Sequence, residues 1–230
     1  MASREIRLML DVTPQELGEM LDRGWRRFGP SYFRPSCDAC EACVSVRIPV
    51  DRFRPSKSQR RARNLARRLR RTVSTPVVDD ERLELYARWH AQREGVRGWE
   101  ASPLTPETYA FEFTFPHPSV HEVSFRDPAD RNRLVGVGIV DQVPQGLSAV
   151  YFFWDPERAP SSLGTANVVA LIEDAAMLQL PYVYLGYRVE GCASLEYKGR
   201  FQPQEQLTDR PRDDEPAQWS EKTPGSTGSP

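Results

Sequence analysis

Histidine and cysteine are scarce: 230 residues contain only three His, at positions 90, 117 and 121, and four Cys. None of the histidines sits in a motif with other metal ligands or with a nucleophile, so none is assigned a role. Long hydrophobic runs are missing as well. The best candidate, Val168 to Leu180, is interrupted by Glu173 and Asp174, well short of the roughly 18 apolar residues a membrane span needs. Met1 to Val12 mixes Arg4, Glu5, Arg7 and Asp11 with its apolar residues and offers no small-residue cleavage site. A secretory signal is therefore not expected, and the reading is a cytoplasmic chain with no membrane partner. What is present suits a folded protein of one or two domains. Hydrophobic residues make up 39%, enough for a core, and 20 Pro with 14 Gly imply irregular connections.

The net charge of −1 conceals a segregation. Residues 21–75 carry 15 Lys/Arg against 4 Asp/Glu, and the remainder carries 16 against 28. A basic block on an otherwise acidic chain points to a polyanionic partner, nucleic acid first, with solvated helix faces as the plain alternative.

Cys37, Cys40 and Cys43 follow one another at three-residue spacing, and Cys192 stands alone. Without a secretory signal, close cysteines suit metal or redox chemistry better than disulfides. Three thiolates so spaced can face one point, but a closed zinc site needs a fourth ligand and no second CxxC is present. Small buried residues in an irregular loop explain them equally well.

Thr13-Pro14-Gln15-Glu16 has the grammar of a helix start, and Gly24 marks its end. Trp25 to Phe28, Tyr32-Phe33 and Val44 to Val50 read as strands. Lys57 to Arg71, with eight basic residues and a thin Leu65/Leu69 stripe, is expected to be one cationic helix. Helices are also expected over Asp80 to Arg93 and from Thr105. Three consecutive strands follow (His121–Phe125, Leu134–Val143, Leu147–Trp154). A helix capped by Ser161 or Ser162 then runs to about Leu180, ahead of a strand over Tyr182–Val189 and a short helix near Cys192–Phe201. The expected fold is α+β. It has a basic, Cys-containing N-terminal α/β domain (1–78), an acetyltransferase-like (GNAT) domain (79–207) and a disordered tail (208–230). The GNAT assignment at this point rests on element order alone.

Ordered residue motifs say more. Phe152-Phe153-Trp154-Asp155-Pro156, Ser162-Leu163-Gly164, Tyr182 to Tyr187 and Tyr197-Lys198-Gly199-Arg200-Phe201-Gln202-Pro203 follow one another closely. Upstream lie Gly24-Trp25-Arg26-Arg27, Phe33-Arg34-Pro35, the cysteines, Arg47-Ile48-Pro49-Val50 and Ser58-Gln59-Arg60-Arg61. Together these resemble the aminoacyl-tRNA–protein transferases, in particular the short bacterial aspartate/glutamate leucyltransferase branch, over residues 13–207. The resemblance implies transfer of an amino acid from aminoacyl-tRNA to the α-amine of proteins beginning with Asp or Glu, marking them for N-degron degradation. It also implies a GNAT-like catalytic domain. By the resemblance, family members usually carry an upstream cysteine followed by Tyr-Leu-Pro. Met1 to Val12 has no cysteine, so either the start is truncated or misassigned or this member lacks the element. The quartet that holds a metal or iron–sulfur centre in eukaryotic relatives is not expected from the residues present.

The implied chemistry is aminolysis of an activated ester. An α-amine of pKa about 7.7–8.0 is partly neutral at pH 7, so no strong base is demanded, and alignment alone supplies roughly 7–11 kcal/mol. No cofactor is required, and a structural zinc at Cys37, Cys40 and Cys43 is the one metal expectation. The helix start at Ser162, Leu163 and Gly164 is assigned to the donor's terminal phosphate or ester oxygen, against a plain helix cap. Lys57, Arg60 and Arg61 are assigned to the acceptor stem of the tRNA. Asp155 would orient the amine or ribose, unless it only begins the turn before Pro156. Tyr187 and Tyr197 would donate to the oxyanion or stack on the terminal adenine, unless they are core. Arg188, Lys198 and Arg200 would hold the acidic side chain of the acceptor, unless they are surface charges.

Leucine is favoured over arginine as the transferred residue by chain length and pattern. A leucine site should be apolar, whereas an arginine site should hold a carboxylate. An acyl-CoA N-acyltransferase is the competing enzyme, but Arg158 to Gly164 lacks the R/Q-x-x-G-x-G/A loop it would need. A non-catalytic RNA-binding protein is the third reading.

Overall fold

The computed structural model describes residues 3–38, 40–97, 105–157, 160 and 162–221. Thr13 caps helix α1 (Pro14–Asp22): its hydroxyl accepts from the Glu16 N–H, and the Glu16 carboxylate accepts from the Thr13 N–H at 2.8 Å. Leu17 and Leu21 are fully buried on one side of this helix. Beside it lies a small antiparallel sheet of β1 (Arg4–Leu8), β3 (Ser31–Pro35) and β2 (Arg26–Phe28), in that order.

The remaining strands are β4 (Val44–Pro49), β5 (Arg70–Ser74), β6 (Val120–Asp127), β7 (Arg133–Val143), β8 (Gly146–Trp154), β9 (Tyr182–Arg188), β10 (Glu205–Leu207) and β11 (Trp219–Glu221). They form one eight-stranded sheet in the order β11-β10-β4-β9-β8-β7-β6-β5. Helices α2 (Lys57–Ala66) and α5 (Leu163–Met177) cover one face; α3 (Asp80–Arg97) and the short α4 (Pro106–Tyr109) pack with the other. Val46, Ile48, Phe53 and Ala62 share one core with Val123, Leu171 and Val183. The expected division at residue 78 is thus crossed by both the sheet and its core, because β4 hydrogen-bonds to β9 and β5 to β6.

Two further expectations need correction. The cationic segment from Lys57 is helical only to Ala66; the chain then turns, and Arg70 and Arg71 enter edge strand β5. The tail from 208 is not wholly disordered. Trp219 packs edge-on against Tyr184 at 6.2 Å, lies 4.3 Å from the Arg47 guanidinium carbon and donates from Nε1 to the Asp22 carbonyl. One aromatic anchor suffices to add β11 beside β10, as its side chain buries apolar surface that the polar residues around it cannot. Residues 222–230, and Ser161 as the alternative helix cap, lie outside the described residues.

The strand pair that matters most is β8 with β9. It is the parallel pair of the sheet, and it is bonded only over Gly146 to Ser148 against Tyr182 to Tyr184. Beyond that point the strands part. Each carries one extra residue near the parting: Val150 against the β7 register, and Leu185 against the β4 register. Such bulges sharpen the local twist and bend a strand away from its neighbour.

Candidate active site

A cavity of about 640 Å³ opens where β8 and β9 part. Its walls come from β8 (Phe152, Trp154), β9 (Leu185, Gly186, Tyr187), the first turns of α5 (Gly164, Asn167, Val168, Leu171), the 3-10 helix over Glu196–Arg200, and β2. Phe152, Val168, Leu171 and Leu185 contribute apolar surface to the lining, and Arg26, Arg27, Arg93, Lys198 and Arg200 contribute cations. No Asp or Glu is among the described residues that line it.

Arg26 is 7% exposed. Its terminal nitrogens donate to the carbonyls of Trp25 (2.6 Å) and Leu21 and to Ser45 Oγ (2.8 Å), and its buried Nε has no partner among the described residues. Burial depresses its basicity, with Tyr187, Tyr184 and the Asp22 charge acting the other way. Arg27, beside it, is neutralised by a two-pronged ion pair with buried Asp141. Lys198 donates from Nζ to the Tyr187 carbonyl at 2.9 Å. Burial and the charge of Arg26 pull its ammonium down to about 7, opposed by Cys192.

The backbone beside these cations is glycine by necessity. Gly186 has φ of +78°, and a Cβ there would stand 3.4 Å from Lys198 Nζ and 3.5 Å from Arg26 Nε. At Gly199 a Cβ would lie 2.8 Å from Arg188 Nε, so the arginine side chain would have to move. The 3-10 helix is held from both sides: Gln204 donates to the Lys198 carbonyl and Gln59 of α2 donates to the Arg200 carbonyl.

The structure divides the residues expected from sequence. Gly164, Tyr187, Tyr197, Lys198 and Arg200 line the cavity. Tyr187 contributes its ring only. Its hydroxyl donates to the Gly24 carbonyl at 2.7 Å, with the Phe33 carbonyl at 3.2 Å, so its proton is committed to the fold and not to an oxyanion. Tyr197 is 38% exposed. Asp155 lies outside the cavity and is 1% exposed; it accepts from the Glu157 N–H at 3.0 Å and pairs with Arg88 and Arg133, which makes it a turn and anchor residue.

Leu163 is fully buried core, and Ser162 occupies the cap position of α5 without a side-chain cap bond. Neither lines the cavity. Arg188 packs on Gly199 and likewise does not line it. Lys57, Arg60 and Arg61 lie on the exposed face of α2, outside the cavity. Sequence reasoning passed over Asn167, 3% exposed and with no partner for its Oδ1 among the described residues, because a single Asn in an apolar helix carries no pattern.

The three cysteines expected to hold a structural zinc lie near one another, with Cys192 close by. Cys37 Sγ accepts from the Ser3 N–H at 3.2 Å, and burial with the nearby thiols of Cys40, Cys37 and Cys192 pushes the Cys43 thiol up. Among the described residues no group of three or more His, Cys, Asp or Glu could hold a metal ion. No helix among them is long and apolar enough to cross a membrane.

The chain resembles known proteins in sequence over most of its length. The family model described as arginine-tRNA-protein transferase, C terminus, matches residues 81–208, and its N-terminus counterpart matches residues 2–61. The chain is 36% identical over 202 residues to an aspartate/glutamate leucyltransferase of Helicobacter hepaticus, covering 87% of this chain and 83% of that protein. A protein of the same name from Methylobacterium sp. (strain 4-46) is 40% identical over 205 residues, covering 84% and 81%. Among solved structures, that of L-PGS from Bacillus licheniformis matches with a TM-score of 0.48 at 13% identity, over 76% of this chain and 52% of that one. With both halves matched and relatives aligned over most of their length, the chain belongs to the arginine-tRNA-protein transferase family, among the aspartate/glutamate leucyltransferases.

Proposed function

We propose that this chain transfers leucine from leucyl-tRNA to the α-amine of proteins beginning with Asp or Glu, and that the cavity between β8 and β9 is where ester and amine meet. The observation that carries the reading is the mixed apolar and cationic lining. The apolar surface of Phe152, Val168, Leu171 and Leu185 suits a leucyl group, and the cations Lys198 and Arg200 suit a carboxylate. Arginine as the transferred residue would leave its guanidinium without a carboxylate in this lining, which is costly in a desolvated site. The transferred leucine would mark the acceptor for N-degron degradation, the role the family implies, and the setting is the cytoplasm.

The finer assignments follow the same logic. The order strand, strand, strand, helix, strand, with a parallel pair that splays, supports a GNAT-like arrangement in which aminoacyl-tRNA takes the place of acyl-CoA. Tyr197, partly exposed, offers a ring for the terminal adenine. Gly164, packed against the Trp154 ring, brings the N–H groups at the start of α5 to the cavity, where the donor would lie. Lys57, Arg60 and Arg61, together with Arg67, Arg68 and Arg70, are exposed and make no ion pair among the described residues, so they are available to phosphates of the acceptor stem. Aminolysis of an ester needs no redox partner, and no cofactor is assigned.

Labelled leucyl-tRNA and arginyl-tRNA offered separately to peptides beginning with Asp, Glu and Ala test this. Leucine transfer to the Asp and Glu peptides alone is the expected result. Arginine transfer would overturn the donor, and transfer to none would leave an RNA-binding protein.

A further inference from the structure

Resting on the reading above, in which the cavity receives an acidic N-terminal residue, we propose that Lys198 is the proton acceptor for the attacking amine, and that the acceptor's own carboxylate, docked against Arg26, is what enables it to hold that proton.

The geometry leads there in steps. Arg26 Nε and Lys198 Nζ stand 3.5 Å and 3.4 Å from the point a Cβ of Gly186 would occupy. Arg26 donates only to neutral oxygens, and its Nε is buried without a partner. Lys198 spends one of its N–H groups on the Tyr187 carbonyl. The groups that face it are Arg26 from β2, Tyr187 and Gly186 from β9, and Cys192 from the loop after β9. Tyr197 and Arg200 of its own element line the same cavity, and Arg188 lies behind at Gly199. None of these is a carboxylate. Neither cation is ion-paired with a carboxylate among the described residues, although the Asp22 charge acts on Arg26. The cheaper relief in the empty site is for the lysine to shed its proton. Its ammonium accordingly titrates near 7.

A docked aspartate or glutamate side chain supplies the missing charge and raises the proton affinity of Lys198. The α-ammonium of the same residue is the proton source at hand. Its N–H bond breaks and an Nζ–H bond forms, leaving the electron pair on the α-nitrogen to attack the ester carbonyl. Collapse of the tetrahedral intermediate breaks the bond to the ribose oxygen. The amine's second proton goes to that oxygen, giving a free hydroxyl, and Lys198 returns its proton to solvent once the product carboxylate leaves. Selection of the acidic residue and activation of its amine thereby become one event. A peptide beginning with Asn or Gln should fail in kcat as well as in KM.

The test separates the carboxylate from the amine. A succinyl peptide is an aspartyl peptide without its α-amine. Titrated into the full chain at pH 8 in buffers of different ionisation enthalpy, it should bind with uptake of roughly 0.5–1 proton, because a lysine free near pH 7 is mostly neutral there. Lys198→Met should abolish the uptake. Lys198→Arg, always charged, should bind the succinyl peptide without uptake, keep the KM for an aspartyl peptide and lower kcat by about 100-fold, the scale of lost general-base assistance. Binding of the succinyl peptide without proton uptake by the wild-type chain would overturn the proposal. So would recovery of full kcat in Lys198→Arg, since a cation that merely binds the carboxylate would be replaced by arginine. Absence of transfer to any peptide in the donor assay would instead overturn the functional reading on which this one rests.

Discussion

Gln59 of α2 donates from Nε2 to the carbonyl of Arg200 at 3.0 Å, while its Oε1 accepts from the N–H of Ser56 at the start of its own helix. One buried amide thus both caps the basic helix and holds the end of the cavity's cationic wall. Gln59→Ala should cost about 1–2 kcal/mol in stability, as a lost cap and a buried carbonyl left unpaired. It should also raise the KM for the acceptor peptide, since Arg200 would lose its anchor. Urea unfolding and steady-state transfer kinetics read the two effects separately.

The exposed cations of α2 predict a salt effect. Replacing Lys57, Arg60 and Arg61 together by Gln should reduce the slope of log affinity for tRNA against log salt by about 2–3, since each phosphate contact contributes roughly 0.7–0.9. At saturating aminoacyl-tRNA, kcat should stay close to wild type, because none of the three lines the cavity. Filter binding across a salt series, paired with transfer rates, checks both.

Gly186 stands beside both Arg26 and Lys198, with a backbone that a side chain resists. Gly186→Ala should cost about 1–2 kcal/mol for its left-handed φ. The added methyl also crowds both cations, so the KM for an Asp peptide should rise more than the KM for leucyl-tRNA. An equal rise in both would mean that this place is not the acceptor site.

Lys198 also makes stability depend on pH. Its folded-state pKa of about 7 lies below the ordinary 10.5, so between those values the unfolded chain binds more protons and stability rises with pH. Lys198→Met removes the cost of that depressed pKa. The variant should melt higher than wild type at pH 7, by about 2–4 °C for each kcal/mol recovered, and the two curves should converge toward pH 10.5. Thermal melts across this range decide it.

Much was legible in the linear code. Thr13 and Glu16 announce α1 because a capping box is a local device, completed within four residues. The alternating and apolar runs of β6 to β9 and the helix α5 were readable from periodicity, and the ordered motifs carried the family. Failures came where a distant partner outvoted the local pattern. Arg70 and Arg71 look like more helix until β6 claims them as an edge strand and Asp174 takes the Arg71 guanidinium. The polar tail looks unfoldable until Trp219 finds Tyr184 and Arg47.

The site divides in the same way. Composition and motif determined that this protein has a basic block for a polyanion and a Tyr-Lys-Gly-Arg segment bearing cations. Which cations remain available was decided only in three dimensions. Arg27, Arg34, Arg47, Arg52, Arg63 and Arg71 are drawn into ion pairs with acids remote in sequence or on another strand, whereas Arg26 and Lys198 meet beside Gly186 with no ion pair to an acid among the described residues. Charge is a property of the residue, but its neutralisation is a property of neighbours, and neighbours are set by how β8 and β9 part.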